Sequence, residues 1–239
     1  MIPHSFKQGL TLSVLAFALA AALPAGARTP QGEVRHQLRD QSSRQLRTVA
    51  EAGLRTMVFS MAQGLPANGR LPEDFPIAVG SYAELRQVTL GIGFEVNTID
   101  PAALLYARRD ADLSRVTRGT GIWNFVVLSK GQPVALLEVG QQDGRWQVLG
   151  AGATRLARDV QAAAQGHARD GGFRFVRVYQ ATADLMEVRG ADNRAQYVPL
   201  AKTVDTLRLK SSGRTLSSSA ELLPSLQGAV RANLAKRSR

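Results

Sequence analysis

WNFVVLSKGQPVALLEVGQQDGRWQVLGAGA, residues 123–153, decides the fold. From Ile122 to Ser129, Trp123, Phe125 and Val127 alternate with Ile122, Asn124, Val126 and Leu128, the period-two signature of a strand. Lys130-Gly131 and Asp143-Gly144 separate two further strand-like segments, Val134 to Val139 and Arg145 to Leu149. Glycine reaches positive backbone angles without a Cβ clash, so each pair supplies the compact turn that joins antiparallel neighbours. The stretch predicts a three-strand antiparallel meander.

Upstream, Glu33 to Gly64 reads as a long amphipathic helix. Val34, Leu38, Leu46, Val49, Ala50, Leu54, Met57, Val58 and Met61 recur at three- and four-residue steps, and Gly64 with Pro66 supplies the stop. Pro66, Gly69, Pro72 and Pro76 make 65–80 a connecting loop. Gln87 to Val96 suits a strand, with Gly91 and Gly93 allowing a bulge, and a short helical segment runs from Pro101 to Tyr106. Downstream, Thr154 is expected to cap a helix reaching His167. Strands follow at Phe173 to Tyr179, Leu185 to Val188 and Gln196 to Val198, and Ser218-x-x-Glu221 is a capping box that opens a last helix. The whole predicts one α+β domain over 28–239. A long N-terminal helix, about 33–64, packs on a curved antiparallel sheet; additional helices include a C-terminal one at about 219–236.

The first 27 residues read as a cleavable secretory signal. Lys7 precedes the apolar run LTLSVLAFALAAAL (Leu10 to Leu23), and Ala25 and Ala27 are the small residues a signal peptidase reads. That run, roughly 14 residues, is short against the ~20 needed to cross a bilayer, and it ends at Pro24. A periplasmic or secreted location is expected, with no stable membrane span after cleavage. The chain has no cysteine. Disulfides, thiolate zinc sites, cysteine nucleophiles and a lipid anchor on a terminal cysteine are thereby excluded.

The formal net charge is +11. A strongly basic protein outside the cytoplasm is drawn to anionic lipid head groups, lipopolysaccharide phosphates or acidic wall polymers rather than to nucleic acid. The densest loop cluster, Arg108, Arg109, Arg115 and Arg118, is interleaved with Asp110 and Asp112. Arg174, Arg177 and Tyr179 share one strand-like segment, where an exposed aromatic beside a cation would suit sugars, peptides or lipid head groups. These seven residues are the candidate binding positions.

Catalytic and metal motifs are weak. Gly150-Ala151-Gly152 lies between a strand and a helix, but Arg155 occupies the third glycine position of a dinucleotide loop, so it reads as an ordinary turn. His36 with Asp40 and His167 with Asp170 read as helix-surface neighbours rather than metal or catalytic pairs. No Gly-x-Ser-x-Gly elbow is present. Glu138 and Asp184 lie on strand-like segments and are the candidate acid and base of a shared cleft. No cofactor, no metal and no catalytic residue is assigned.

The stretch Trp123 to Ala153, with its "KGQPV" turn and its "LLEV" and "DGRWQV" strands, resembles secreted bacterial domains of cystatin-like or NTF2-like architecture. The resemblance implies an antiparallel sheet wrapped around a helix and functions in peptide binding, enzyme inhibition or accessory roles. It implies no site residue. The function expected is that of a non-enzymatic envelope module that contacts anionic envelope components or another envelope protein. A cofactor-independent hydrolase with dispersed residues, and a scaffold docking through its C-terminal helix, are the alternatives.

Overall fold

The computed structural model describes residues 31–63, 71–167, 172–189, 192–209 and 215–237. The leader with Ala25 and Ala27, the side chains of His36 and Asp40, and Asp170 lie outside the described residues. The chain divides into two units, Met1–Leu38 and Arg39–Arg239. Of the first, the helical backbone from Gln31 is described; everything below concerns the second.

Helix α1 (Gln31–Gln63) is followed by the short α2 (Tyr82–Leu85), β1 (Thr89–Ile99), α3 (Pro101–Tyr106), β2 (Thr117–Ser129), β3 (Gln132–Gln142) and β4 (Arg145–Gly152). Then come α4 (Thr154–His167), β5 (Phe173–Val178), β6 (Ala183–Arg189), β7 (Ala195–Pro199), α5 (Ala201–Leu207) and α6 (Ser219–Arg237). The seven strands form one sheet in the order β4-β3-β2-β1-β5-β6-β7. The expected meander is β2-β3-β4, and Lys130, Gly131, Asp143 and Gly144 all have positive φ in its two turns. That pair of positive angles matches the right-handed twist of the strands they join. Every ladder is antiparallel except β1 with β5, which run parallel through Val96↔Phe175, Asn97↔Val176 and Thr98↔Arg177.

Side-chain alternation gives each strand two faces, and helices cover both. Leu46, Ala50 and Leu54 of α1 pack on Phe125, Val127 and Leu137. The approach is close: a Cβ on Gly53 would stand 2.3 Å from Val148 Cγ2, so only glycine lets α1 lie this near β4. The opposite face carries Phe94, Val126, Phe175 and Met186 beneath Ala157, Val160 and Ala163 of α4. On β5, Val176 points away from Phe175 and joins Leu185 and Tyr197 under α6. Leu222, Leu223, Leu226 and Val230 of α6 are thus buried against the chain's own sheet, whereas Leu234 is 37 % exposed. This is an α+β fold with a long N-terminal helix, and its core lies on both sides of one sheet.

Local chemistry sets the helix starts. Ser218 and Glu221 form the reciprocal capping box: Glu221 N donates to Ser218 Oγ, and Ser218 N donates to Glu221 Oε2 at 2.7 Å. Asp100 Oδ1 accepts from Ala102 N and Ala103 N at the head of α3. Thr154 departs from its expected role as a cap. Its hydroxyl donates to Val134 O at 2.8 Å, tying the start of α4 to β3 instead.

Candidate binding pocket at the start of α4

Helix α4 covers only part of its face of the sheet. Beyond its N-terminus lies a cavity of about 280 Å³ lined by Asn124, Leu136, Glu138, Arg177, Leu149, Leu156 and the segment 150–153. Register brings the polar residues together. Asn124 on β2 pairs directly with Glu138 on β3, and Glu138 pairs with Gly150 on β4. A Cβ on Gly150 or Gly152 would meet nothing within 4 Å, so these glycines leave the space open. Ala153 turns the chain into α4 with φ +55, a left-handed angle that is uncommon for alanine. The first N–H groups of α4 follow it, and such groups have no intrahelical acceptor.

Three polar side chains differ in how they are held. Arg177 is fixed by its cross-strand neighbour Asp184, with Nε to Oδ1 at 2.6 Å and Nη2 to Oδ2 at 3.1 Å. Its guanidinium also lies 5.4 Å from the centre of the Phe175 ring. Burial works against the charge, but the Asp184 hydrogen bond and charge prevail and hold the Arg177 pKa above its ordinary value. Two donors on Nη1 and one on Nη2 lie outside that fork. Glu138 is half-buried and has no hydrogen bond or ion pair among the described residues. Asn124 is 4 % exposed, and its amide likewise has no hydrogen-bond partner there. The amide therefore presents its donor and its acceptor to the cavity.

The other sequence candidates fall elsewhere. Arg108 lies 3.5 Å from Asp110, Arg115 3.9 Å from Asp112 and Arg118 3.3 Å from Asp100, all on open surface; Arg109 is exposed among them. Exposed pairs of this kind contribute little, and they form no cavity with Arg177. Arg174 points to the opposite face, where Glu187 accepts from its Nε at 3.1 Å. Tyr179 follows β5 in a 3-10 turn and is 49 % exposed, close enough to Arg177 to affect its titration. Trp123 and Trp146 pack on the α1 side of the sheet.

Comparison with protein-family models, with curated proteins and with solved structures returned no match.

Asp184 is engaged by Arg177, and the residues lining the cavity include no histidine and no hydroxyl nucleophile. His167 lies in a second cleft between α4 and α5, with Asp159 and Asp205. Burial raises the Asp159 pKa, while the Ala201 N–H donates to its carboxylate; this cleft too is lined by no hydroxyl nucleophile. The described residues contain no cluster of three or more metal-ligating side chains, and none of their helices is long and apolar enough to cross a membrane.

Proposed function

We propose that the chain is a non-enzymatic binding module of the bacterial envelope, exported by its N-terminal segment, which captures a small zwitterion in the pocket at the start of α4. The observation that carries this reading is Asn124, a residue 4 % exposed whose amide makes no hydrogen bond within the described residues and opens onto the wall of a cavity. An apolar residue would fill that position on a central strand at least as well, so the amide is explained by a partner that arrives from outside.

The surroundings define the chemistry of that partner. Arg177 and the N-terminal turn of α4 suit a carboxylate, since guanidinium donors and free N–H groups are both attracted to an anion. Glu138 suits an ammonium or a hydroxyl donor. Asn124 offers a donor and an acceptor between them. Leu136, Leu149 and Leu156 leave room for a short apolar group. With Asp184 balancing Arg177, Glu138 gives the pocket a net negative charge, which favours a zwitterion over a simple anion. A free amino acid, or the end of a short peptide, is the simplest such ligand.

Calorimetric titration of the purified protein with free L- and D-amino acids tests this. Wild type is expected to bind at least one of them with a Kd below about 1 mM, roughly −4 kcal/mol. Gly150→Val places its Cβ in open space on β4 and should abolish the heat while leaving the fold intact, which the circular dichroism spectrum checks. Glu138→Gln keeps the shape, removes the charge that faces the ammonium, and should weaken binding about tenfold. If no amino acid binds, or if Gly150→Val binds as well as wild type, the pocket is not the site.

A further inference from the structure

A third cavity, of about 700 Å³, lies between the C-terminal half of α1 and the segment running from α2 into β1. Its floor is apolar: Leu54, Leu85 and Leu90 are buried, and half-buried Val58 and Val88 continue the surface. Phe59 stands at its edge 64 % exposed, the most exposed large apolar side chain after Tyr106 among the described residues. The cations around it have unequal roles. Arg47 is structural: Nη2 donates to Leu90 O at 2.7 Å and Nη1 to Gly91 O at 2.9 Å, while Nε reaches Glu51. It pins α1 to β1. Arg55 and Arg86 have no acidic partner among the described residues, and the Arg86 guanidinium sits 6.0 Å from the centre of the Tyr82 ring.

We infer that this groove is a second ligand site, which takes a single-chain anionic amphiphile: an alkyl chain along Leu54, Val58, Leu85 and Val88, ending in a phosphate or carboxylate between Arg55 and Arg86. Three arginines against the single acid Glu51 give the lining an excess positive charge that complements such a head group. The volume lies within the ~300–1,000 Å³ typical of small-ligand cavities. A concave apolar floor with cations at its rim matches one chain, whereas a bilayer surface calls for a convex apolar face. The inference stands apart from the Asn124 pocket, with which the groove shares no residue.

Decyl and dodecyl phosphate, titrated below their micellar concentrations, are the probes. Binding is expected, with affinity rising about fourfold for each added methylene. Arg55→Glu/Arg86→Glu, two exposed positions, should weaken it tenfold or more, and Val58→Lys should weaken it without touching the head-group cations. Dodecyl maltoside separates charge from chain: equal affinity for it would overturn the anionic head group. Binding to phosphatidylglycerol vesicles without binding to the monomers would overturn the groove in favour of a membrane-facing surface. So would monomer binding that both variants leave unchanged.

Discussion

Phe175→Ala is expected to lower the stability of the fold by about 4 kcal/mol. Phe175 is fully buried at the one parallel ladder of the sheet, opposite Val96, where its ring meets Phe94 at 5.1 Å between centres. Beneath α4 it joins Val126 and Met186, so truncation removes a large apolar contact and leaves a hole that three elements would have to close. A sheet held on both faces relaxes poorly, which places the loss toward the upper part of the range for Phe→Ala. The consequence extends to the site, because the Arg177 guanidinium rests over this ring. Urea denaturation read by circular dichroism should give a midpoint well below wild type with a similar slope. A change under about 1 kcal/mol would mean that the two halves of the sheet do not meet through this residue.

The second large effect lies on the other face of the sheet, in the antiparallel pairing of β5 with β6. Glu187 is 3 % exposed and accepts from Arg174 Nε at 3.1 Å and Nη2 at 2.5 Å, with Arg189 Nη2 at 3.5 Å. Arg174 also donates to Ser114 O, so the carboxylate joins the β5–β6 ladder to the turn before β2. Nearby, burial pushes the pKa of the Tyr197 hydroxyl up, and the Glu187 charge acts in the same direction. Glu187→Ala leaves Arg174 without its fork and is expected to cost about 3 kcal/mol; the partial exposure of Arg174 keeps the effect at the lower end for a broken buried pair. The double variant Arg174→Met/Glu187→Leu should recover most of that loss, since it removes both desolvated charges together. A double variant as unstable as Glu187→Ala would show that the carboxylate matters through packing rather than charge.

Much of this architecture was legible in the sequence because its signals are local. Lys130-Gly131 and Asp143-Gly144 fix two hairpins, and Ser218-x-x-Glu221 fixes the start of α6, each through bonds between residues a few positions apart. The parallel pairing of β1 with β5 leaves no such trace, since it joins segments nearly eighty residues apart. Helix α5 was missed for a related reason. Leu200 gives it no side-chain cap; the Ala201 N–H is met by Asp159 on α4 instead.

The site was half legible. The segment from Phe173 to Tyr179 points to Arg177 and Tyr179, but Arg174 lies three positions from Arg177, an odd step along a strand that puts the two arginines on opposite faces. Asn124 carried a readable signal of its own: it is the single polar residue between Ile122 and Leu128, in a strand whose neighbours are apolar on both faces. What the sequence lacked was register. Only the pairing of Asn124 with Glu138, and of Glu138 with Gly150, turns three scattered residues into one wall of a cavity.

The measurement that bears most directly on the ligand pocket is the stability of Asn124→Val with no ligand added. The amide makes no hydrogen bond within the described residues and opens onto the cavity, so replacing Asn124 with a β-branched apolar residue on a central strand breaks no bond within the protein and adds contact with Leu136 and Leu156. A urea midpoint above wild type is expected, by about 1 kcal/mol of stability, in a protein that no longer binds amino acids. A midpoint below wild type by a similar amount would contradict it, because Asn124 would then be holding the fold together rather than waiting for a ligand.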